Sequence, residues 1–336
     1  MRILNSIHLY PPMHTCGAEF MAHWINKDLI KAGHEVRVLL HQANQFNITK
    51  VYDFDGVAVF PPDENIIQSL FMWADAVITH LDYSDWTMNM AAIMQKPVFH
   101  LIHNTSVNNK IVMSEVPQFI VYNSEWAKGE LKYNHDSFVM PPACDYRHYD
   151  INADTSVNEF ITLINIDQNK GGEVLRDIAT AMPHKKFLAV KGSYSEPAKI
   201  GQITKQPVNV TIIEKQIDIK KVYEKTRVLL MPSKYESWGR TATEAMCSGI
   251  PVISSGTPGL RENCGDAGIY VDRSDIKGWV EAITRLDGPT KYKKASEKAK
   301  ARSRELDPVK NLTAFRRFMQ EGIMSYKFKR AEQIKR

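Results

Sequence analysis

The sequence lacks any long hydrophobic run. Its longest apolar stretches, AVITHL, FITLINI and VLLMP, fall far short of the roughly 18–20 apolar residues of a membrane-spanning helix. Cysteine is scarce. The four thiols, Cys16, Cys144, Cys247 and Cys264, make no C-x-x-C pair and have no histidines at zinc-finger spacing, so reduced thiols and no metal are expected. No internal repeat or low-complexity segment interrupts the chain. No G-x-G-x-x-G turn follows the first strand of either half, which argues against a dinucleotide-dependent dehydrogenase. The opening MRILNSIHLY enters a strand-like stretch with no charged and apolar leader regions, and a cytoplasmic location is the expectation.

What is present fits two ordinary domains: 336 residues, 43% of them hydrophobic. The net charge of +5 is uneven, because residues 291–336 carry fifteen Lys/Arg against five Asp/Glu. Such a tail reads either as a solvated helix face or as a contact for an anionic membrane surface or a nucleic acid. Its aromatic residues Tyr292, Phe315, Phe318, Tyr326 and Phe328 suit a helix that packs back on the first domain.

Along the chain, RILNSIHLY is strand-like and PPMHTCG is a loop. The next stretch places Phe20, Met21, Trp24, Ile25, Leu29 and Ile30 at helical spacing and ends at Gly33. HEVRVLL then returns as a strand, so the unit is βαβ and its sheet parallel. VYDFDGVAVF reads as a strand pair around an Asp55-Gly56 turn. Strands ADAVITHL, PVFHLIH and QFIVYNS follow with the helices DWTMNMAAIMQ and EWAKGELKYN. The polar, turn-rich PPACDYRHYDINADTSVNEF reads as a linker, and a second α/β series begins at FITLINI. The expected fold class is therefore α/β, with two Rossmann-like doubly wound domains. The expected division is 1–150, 151–310, and a basic helix over 311–336.

The richest chemistry lies in MPSKYESWGRTATEAMCSGIPVISS. A buried strand ends in a polar loop and a helix starts near Gly239, where unpaired N–H groups and the positive dipole end favour anions. Glu236 lies in the loop and Glu244 in the helix, two acceptors suited to sugar hydroxyls. From spacing alone, two surface glutamates beside a capped helix is the alternative. Asp53-Phe54-Asp55 is a D-x-D tripeptide, but Gly56 follows it, and a turn accounts for it without a metal.

The stretch ESWGRTATEAMCSGIPVISS resembles the E-x7-E signature of the family 4 (GT4) glycosyltransferases, retaining enzymes of the GT-B fold, whose two domains face each other across a cleft. The resemblance implies that Glu236 contacts the donor sugar and Glu244 the nucleotide ribose. It implies that the backbone around Ser237, Trp238, Gly239 and Arg240 approaches the sugar and phosphates. Cys16-Gly17-Ala18-Glu19 resembles the family's first glycine loop, with Gly17 near the diphosphate, and His103 its cleft histidine. MPPACDYRHYD resembles the family's linker, with Asp145 at its aspartate. LINIDQNKGG resembles the segment that supplies an Arg and, five residues on, a Lys to the diphosphate. Lys170 matches the Lys; Asn165 stands where the Arg belongs, and Arg240 is the candidate substitute, a salt-bridged surface arginine being the alternative.

The implied reaction transfers a sugar from a nucleoside diphosphate sugar, UDP-sugar favoured, to an acceptor hydroxyl with retention and without a metal. Glu236, His103 and Lys170 are its expected catalytic residues. The base is expected to be read around Gly192 and the VNVTIIEK strand. The acceptor stays open among a glycan, a lipid carrier and a small molecule, with a modified base in viral DNA a minor option. Two alternatives are a sugar-nucleotide-binding relative without turnover, favoured by Asn165, and an epimerase or hydrolase on the same fold.

Overall fold

A computed structural model describes residues 1–105, 118–192 and 207–334. It divides into two compact units, one formed by residues 1–143 with 308–336 and the other by residues 144–307.

The sheet of the first unit contains β1 (Arg2–Ile7), β2 (Glu35–Leu40), β3 (Tyr52–Phe54), β4 (Val57–Phe60), β5 (Ala76–His80), β6 (Val98–Ile102), β7 (Gln118–Tyr122) and β8 (Ser137–Val139). Their order is β3-β4-β2-β1-β5-β6-β7-β8. All pairings are parallel except β3 with β4, joined through Asp55 and Gly56, both at positive φ. Asp53 caps that turn by accepting from Gly56 N, and Asp55 pairs with Lys27 at 3.0 Å. The D-x-D carboxylates are thus engaged in the hairpin.

Successive β1 residues point to opposite faces. Ile3 packs with Met21, Ile25 and Leu29 of α1 (Gly17–Lys31), whose i, i+4 spacing buries one stripe. Leu4 packs on the other face with Leu70 of α2 (Glu64–Trp73) and Met88 of α3 (Ser84–Ile93). Helix α4 (Glu125–Leu131) follows β7, its N-cap Ser124 accepting from Ala127 N.

In the second unit, β9 (Phe160–Ile164), β10 (Lys186–Val190), β11 (Val210–Ile213), β12 (Thr226–Met231), β13 (Val252–Ser254) and β14 (Ile269–Tyr270) form a parallel sheet of order β11-β10-β9-β12-β13-β14. The stretch read as a linker is built into this unit from Cys144 onward. Asp145 caps the one-turn helix α5 (Tyr146–Tyr149), and Tyr149 is buried with its carbonyl accepting from Ser248 Oγ. Among the described residues the remaining α-helices are α6 (Gly172–Ala181), α7 (Lys220–Tyr223), α8 (Arg240–Cys247), α9 (Pro258–Cys264), α10 (Ile276–Arg285) and α11 (Pro289–Glu305). The last, α12 (Pro308–Ile334), belongs to the first unit. The divisions thus fall a few residues before the expected 150 and 310, and residues 335–336 of the expected final segment lie outside the described residues.

Candidate functional site

Glu236 is positioned by two loops that the second unit ties together. Gly171, at φ +96°, ends a short turn after β9, and a Cβ there would lie 2.6 Å from Pro232 Cγ. Arg273 spans the same loops, donating to Pro232 O (2.8 Å) and Gln168 O (3.1 Å) and pairing with Glu173 (2.6 Å). Lys234 N donates to Asn169 O. This seam sets the Lys170 ammonium 2.6 Å from Glu236 Oε1, which also accepts from Ser233 Oγ at 3.0 Å. Two residues 66 apart in sequence become one charged pair.

Asn165, where the resemblance places an arginine, stands at a turn. It turns the chain out of β9 at φ +69°, a left-handed conformation that asparagine tolerates better than most residues. Its Oδ1 accepts from Asp167 N at 3.1 Å, and a Cβ on Gly192 would lie 2.3 Å from that oxygen. The position is a turn packed against Gly192.

Glu244 lies one turn into α8 and is buried. Its Oε1 is 3.2 Å from Arg240 Nε, and its Oε2 accepts from Tyr223 Oη at 2.9 Å. Arg240 also donates to Tyr149 Oη at 2.5 Å. Burial works against the guanidinium charge, but the Tyr149 and Glu244 oxygens outweigh it and raise its pKa. Burial, with Glu244 beside it, pushes the Tyr223 phenol well above its usual range. Arg240 is therefore no surface arginine; it holds Glu244 inside the protein.

Between the two glutamates, the indole of Trp238 is buried and donates to Thr243 Oγ1 at 3.2 Å. Asn263 Nδ2 donates to Trp238 O and Gly239 O, both at 3.0 Å, and its Oδ1 accepts from Thr243 Oγ1. Gly239 takes φ +81°, and Gly259 fits against the buried Ser237, where a Cβ would meet the Ser237 carbonyl carbon at 2.3 Å. The aromatic-glycine pair is thus locked from behind, leaving its main chain at the start of α8.

Gly17 and His103 belong to the first unit. Gly17 is exposed as the first residue of α1, and His103 follows β6. His103 Nε2 is 2.8 Å from His80 Nδ1, so one ring donates and the other accepts. Burial pushes His103 down to about 4 and His80 well below its ordinary value. His8 follows β1, its ring 5.4 Å from that of His80, and its Nε2 lies 3.3 Å from Glu19 Oε1. Glu19 is 1% exposed. Burial opposes its charge, but the imidazoles of His14 and His8 outweigh that and hold it well below the carboxylate range. Burial also opposes a charge on His14, yet Cys16 and Glu19 lift it to about 9.

Sequence reasoning passed over His8, His80 and Glu19 here, and Tyr223, Asn263 and Arg273 in the second unit. One signal was available: SIHL, LLHQ, ITHL and LIHN each put a histidine where an apolar strand ends.

Residues 160–287 match the family described as "Glycosyl transferases group 1". O-antigen chain mannosyltransferase B of Escherichia coli is 39% identical over 59 residues, 18% of this chain and 16% of the relative. A D-inositol 3-phosphate glycosyltransferase of Corynebacterium urealyticum is 34% identical over 71 residues, 20% of this chain and 17% of the relative. The matches thus span about a sixth of these curated relatives' length. Across nearly the whole chain the architecture is that of Anabaena HepE, solved in complex with UDP and glucose. The TM-score is 0.79 at 16% identity, covering 95% of this chain and 99% of HepE. The fold is GT-B. Among the described residues, no helix is long and apolar enough to cross a membrane.

Proposed function

We propose that the chain is a retaining glycosyltransferase that moves a sugar from a UDP-sugar to an acceptor hydroxyl. The observation that carries this reading is the pair of anchored glutamates at the carboxyl end of β12. Glu236 is held by Lys170 and Ser233, and Glu244 by Arg240 and Tyr223. The group 1 match over residues 160–287 supports the class, and HepE's UDP complex supports the donor base.

In this reading Glu244 accepts from the ribose hydroxyls and Glu236 from the donor sugar. Lys170 and the N–H groups at the start of α8 meet the diphosphate charge, which grows as the bond from the anomeric carbon to phosphate oxygen breaks. The acceptor oxygen bonds to the same face of that carbon, and its proton passes to the leaving phosphate oxygen. His103, neutral at pH 7, lines the sugar's side as a hydrogen-bonding group. Donor binding needs no divalent metal. The acceptor is a glycan, a lipid carrier or a small molecule.

The test pairs binding with turnover. UDP should stabilise the protein in a thermal-shift comparison with GDP, ADP and dTDP, and EDTA should leave that shift in place. Glu244→Gln should weaken UDP binding roughly ten- to a hundredfold, the value of one hydrogen bond to a charged group. Glu236→Gln should instead lower kcat on the order of a hundredfold with UDP affinity nearly kept. Equal effects of both variants on both quantities would remove the assigned roles. Asn165 favours a second reading, a nucleotide-sugar-binding protein without turnover; UDP binding with no transfer to any acceptor class and no donor hydrolysis would select it.

A further inference from the structure

In the first unit, one cluster of donor atoms is unused by the reaction above. His14, Cys16 and Glu19 each bring a ligand atom to within 4.8 Å of the others. His14 Nε2 lies 3.8 Å from Cys16 Sγ, and His14 Nδ1 lies 3.4 Å from Glu19 Oε2. In a tetrahedral zinc site, bonds of about 2.0–2.3 Å put neighbouring donors about 3.4–3.6 Å apart. The two contacts use different ring nitrogens of His14, and the ion can take only one of them. The ring must therefore turn and the ligand atoms, now within 4.8 Å of one another, must close by about 1 Å on binding.

A second observation points the same way. Glu19 is 1% exposed, and its Oε2 has no hydrogen-bond partner among the described residues, although it faces the imidazole of His14. The imidazoles of His14 and His8 offset the burial of this carboxylate without closing a hydrogen bond on Oε2. A cation bound between the three side chains would take up that oxygen. Its other oxygen, Oε1, lies 3.3 Å from His8 Nε2, the kind of outer contact that orients a ligating carboxylate.

We propose that His14, Cys16 and Glu19 bind one zinc-class divalent cation. A thiolate, an imidazole and a carboxylate together favour zinc over magnesium or calcium, which prefer all-oxygen shells. Two anionic ligands neutralise the doubly charged ion, as a buried site requires. On binding, Cys16 loses its thiol proton to solvent, and the ion takes one of the two His14 ring nitrogens. Three protein ligands leave a fourth position for water or a substrate oxygen. The loop from Tyr10 to the first turn of α1 supplies all three ligands, so the ion fixes the loop that carries Gly17. The donor contacts tested above, Lys170, Glu236 and Glu244, lie in the second unit and call for no metal.

Cobalt(II) is the probe, added to full-length protein stripped with a chelator. The expected result is one equivalent bound, with a thiolate-to-cobalt charge-transfer band that zinc displaces. Cys16→Ser should abolish the band, while Cys264→Ser, which alters a buried thiol outside the cluster, should retain it. Glu19→Gln should weaken cobalt binding on the order of a hundredfold, at least what loss of an outer-shell contact costs. If Cys16→Ser fails to fold by circular dichroism, His14→Ala takes its place. No cobalt uptake by the wild-type chain, or a band unchanged in the ligand variants, overturns the proposal. The UDP thermal shift is measured in the same samples, so failure of the metal site and failure of the transferase reading are separate results.

Discussion

Gly239 is constrained twice. Its φ of +81° lies in the left-handed region, and a Cβ would come 2.6 Å from Leu260 Cδ2. Gly239→Ala therefore meets both backbone strain and overpacking, and should destabilise the protein by about 2–4 kcal/mol. Urea unfolding monitored by tryptophan fluorescence checks this; an unchanged midpoint would mean that the start of α8 is not held as described. Asn165 carries the same lesson in reverse. A cation would serve a diphosphate there, but the chain needs a residue that tolerates φ +69° and packs against Gly192. Arg240 was legible as a cation beside a glycine at a helix start. That its guanidinium is spent on Glu244 and Tyr149 was not, because Tyr149 comes from 91 residues away.

At the scale of elements, α12 shows how one helix can be basic and still be core. Leu312, Phe315, Met319 and Ile323 recur at helical spacing and join the cluster that holds Ile3, Phe99 and Phe119. Phe318 meets Phe99 and Phe119 edge-on, at centroid distances of 5.8 and 5.9 Å. Its charged residues occupy the remaining faces. Of the tail aromatics, Phe328 stays exposed, whereas Tyr292 is buried in the second unit. Met319→Ala should cost about 2–5 kcal/mol, as truncation of a fully buried side chain does. The loss should appear in hydrogen exchange as weakened protection of β6 and β7, which carry Phe99 and Phe119. Unaltered exchange in those strands would detach α12 from the core assigned to it.

For the molecule as a whole, the buried His100 and the half-buried His41 and His103 set a pH dependence that His14, lifted to about 9, partly opposes above pH 6.5. Burial pushes His41, His100 and His103 down to about 4 each. In the unfolded chain they titrate near 6.5. Above that value both states are neutral and these groups leave stability at its full level. Between about 6.5 and 4 the unfolded chain takes up protons that the fold excludes, so stability falls as pH falls, by up to about 1.4 kcal/mol per pH unit for each group. Urea midpoints at pH 7.5, 6 and 5 should descend, and His41→Gln with His100→Gln should flatten the descent. A midpoint independent of pH across that range would contradict the burial of these rings.

By itself the sequence determined what depends on local spacing. The period of apolar residues specified strands alternating with helices, Asp55-Gly56 specified a hairpin, and Glu236 and Glu244 stood out because a strand end, a loop and a helix start lie side by side in the chain. Tertiary structure decided everything that depends on residues meeting from a distance. Lys170 reaches Glu236 only because Gly171 lets two loops touch, Arg240 and Tyr223 meet at Glu244, and α12 returns to the first unit's core. It also gathered His8, His14, Cys16, Glu19, His80 and His103 in the first unit. Each of those side chains is ordinary where it stands in the sequence; burial beside the others is what gives it chemistry.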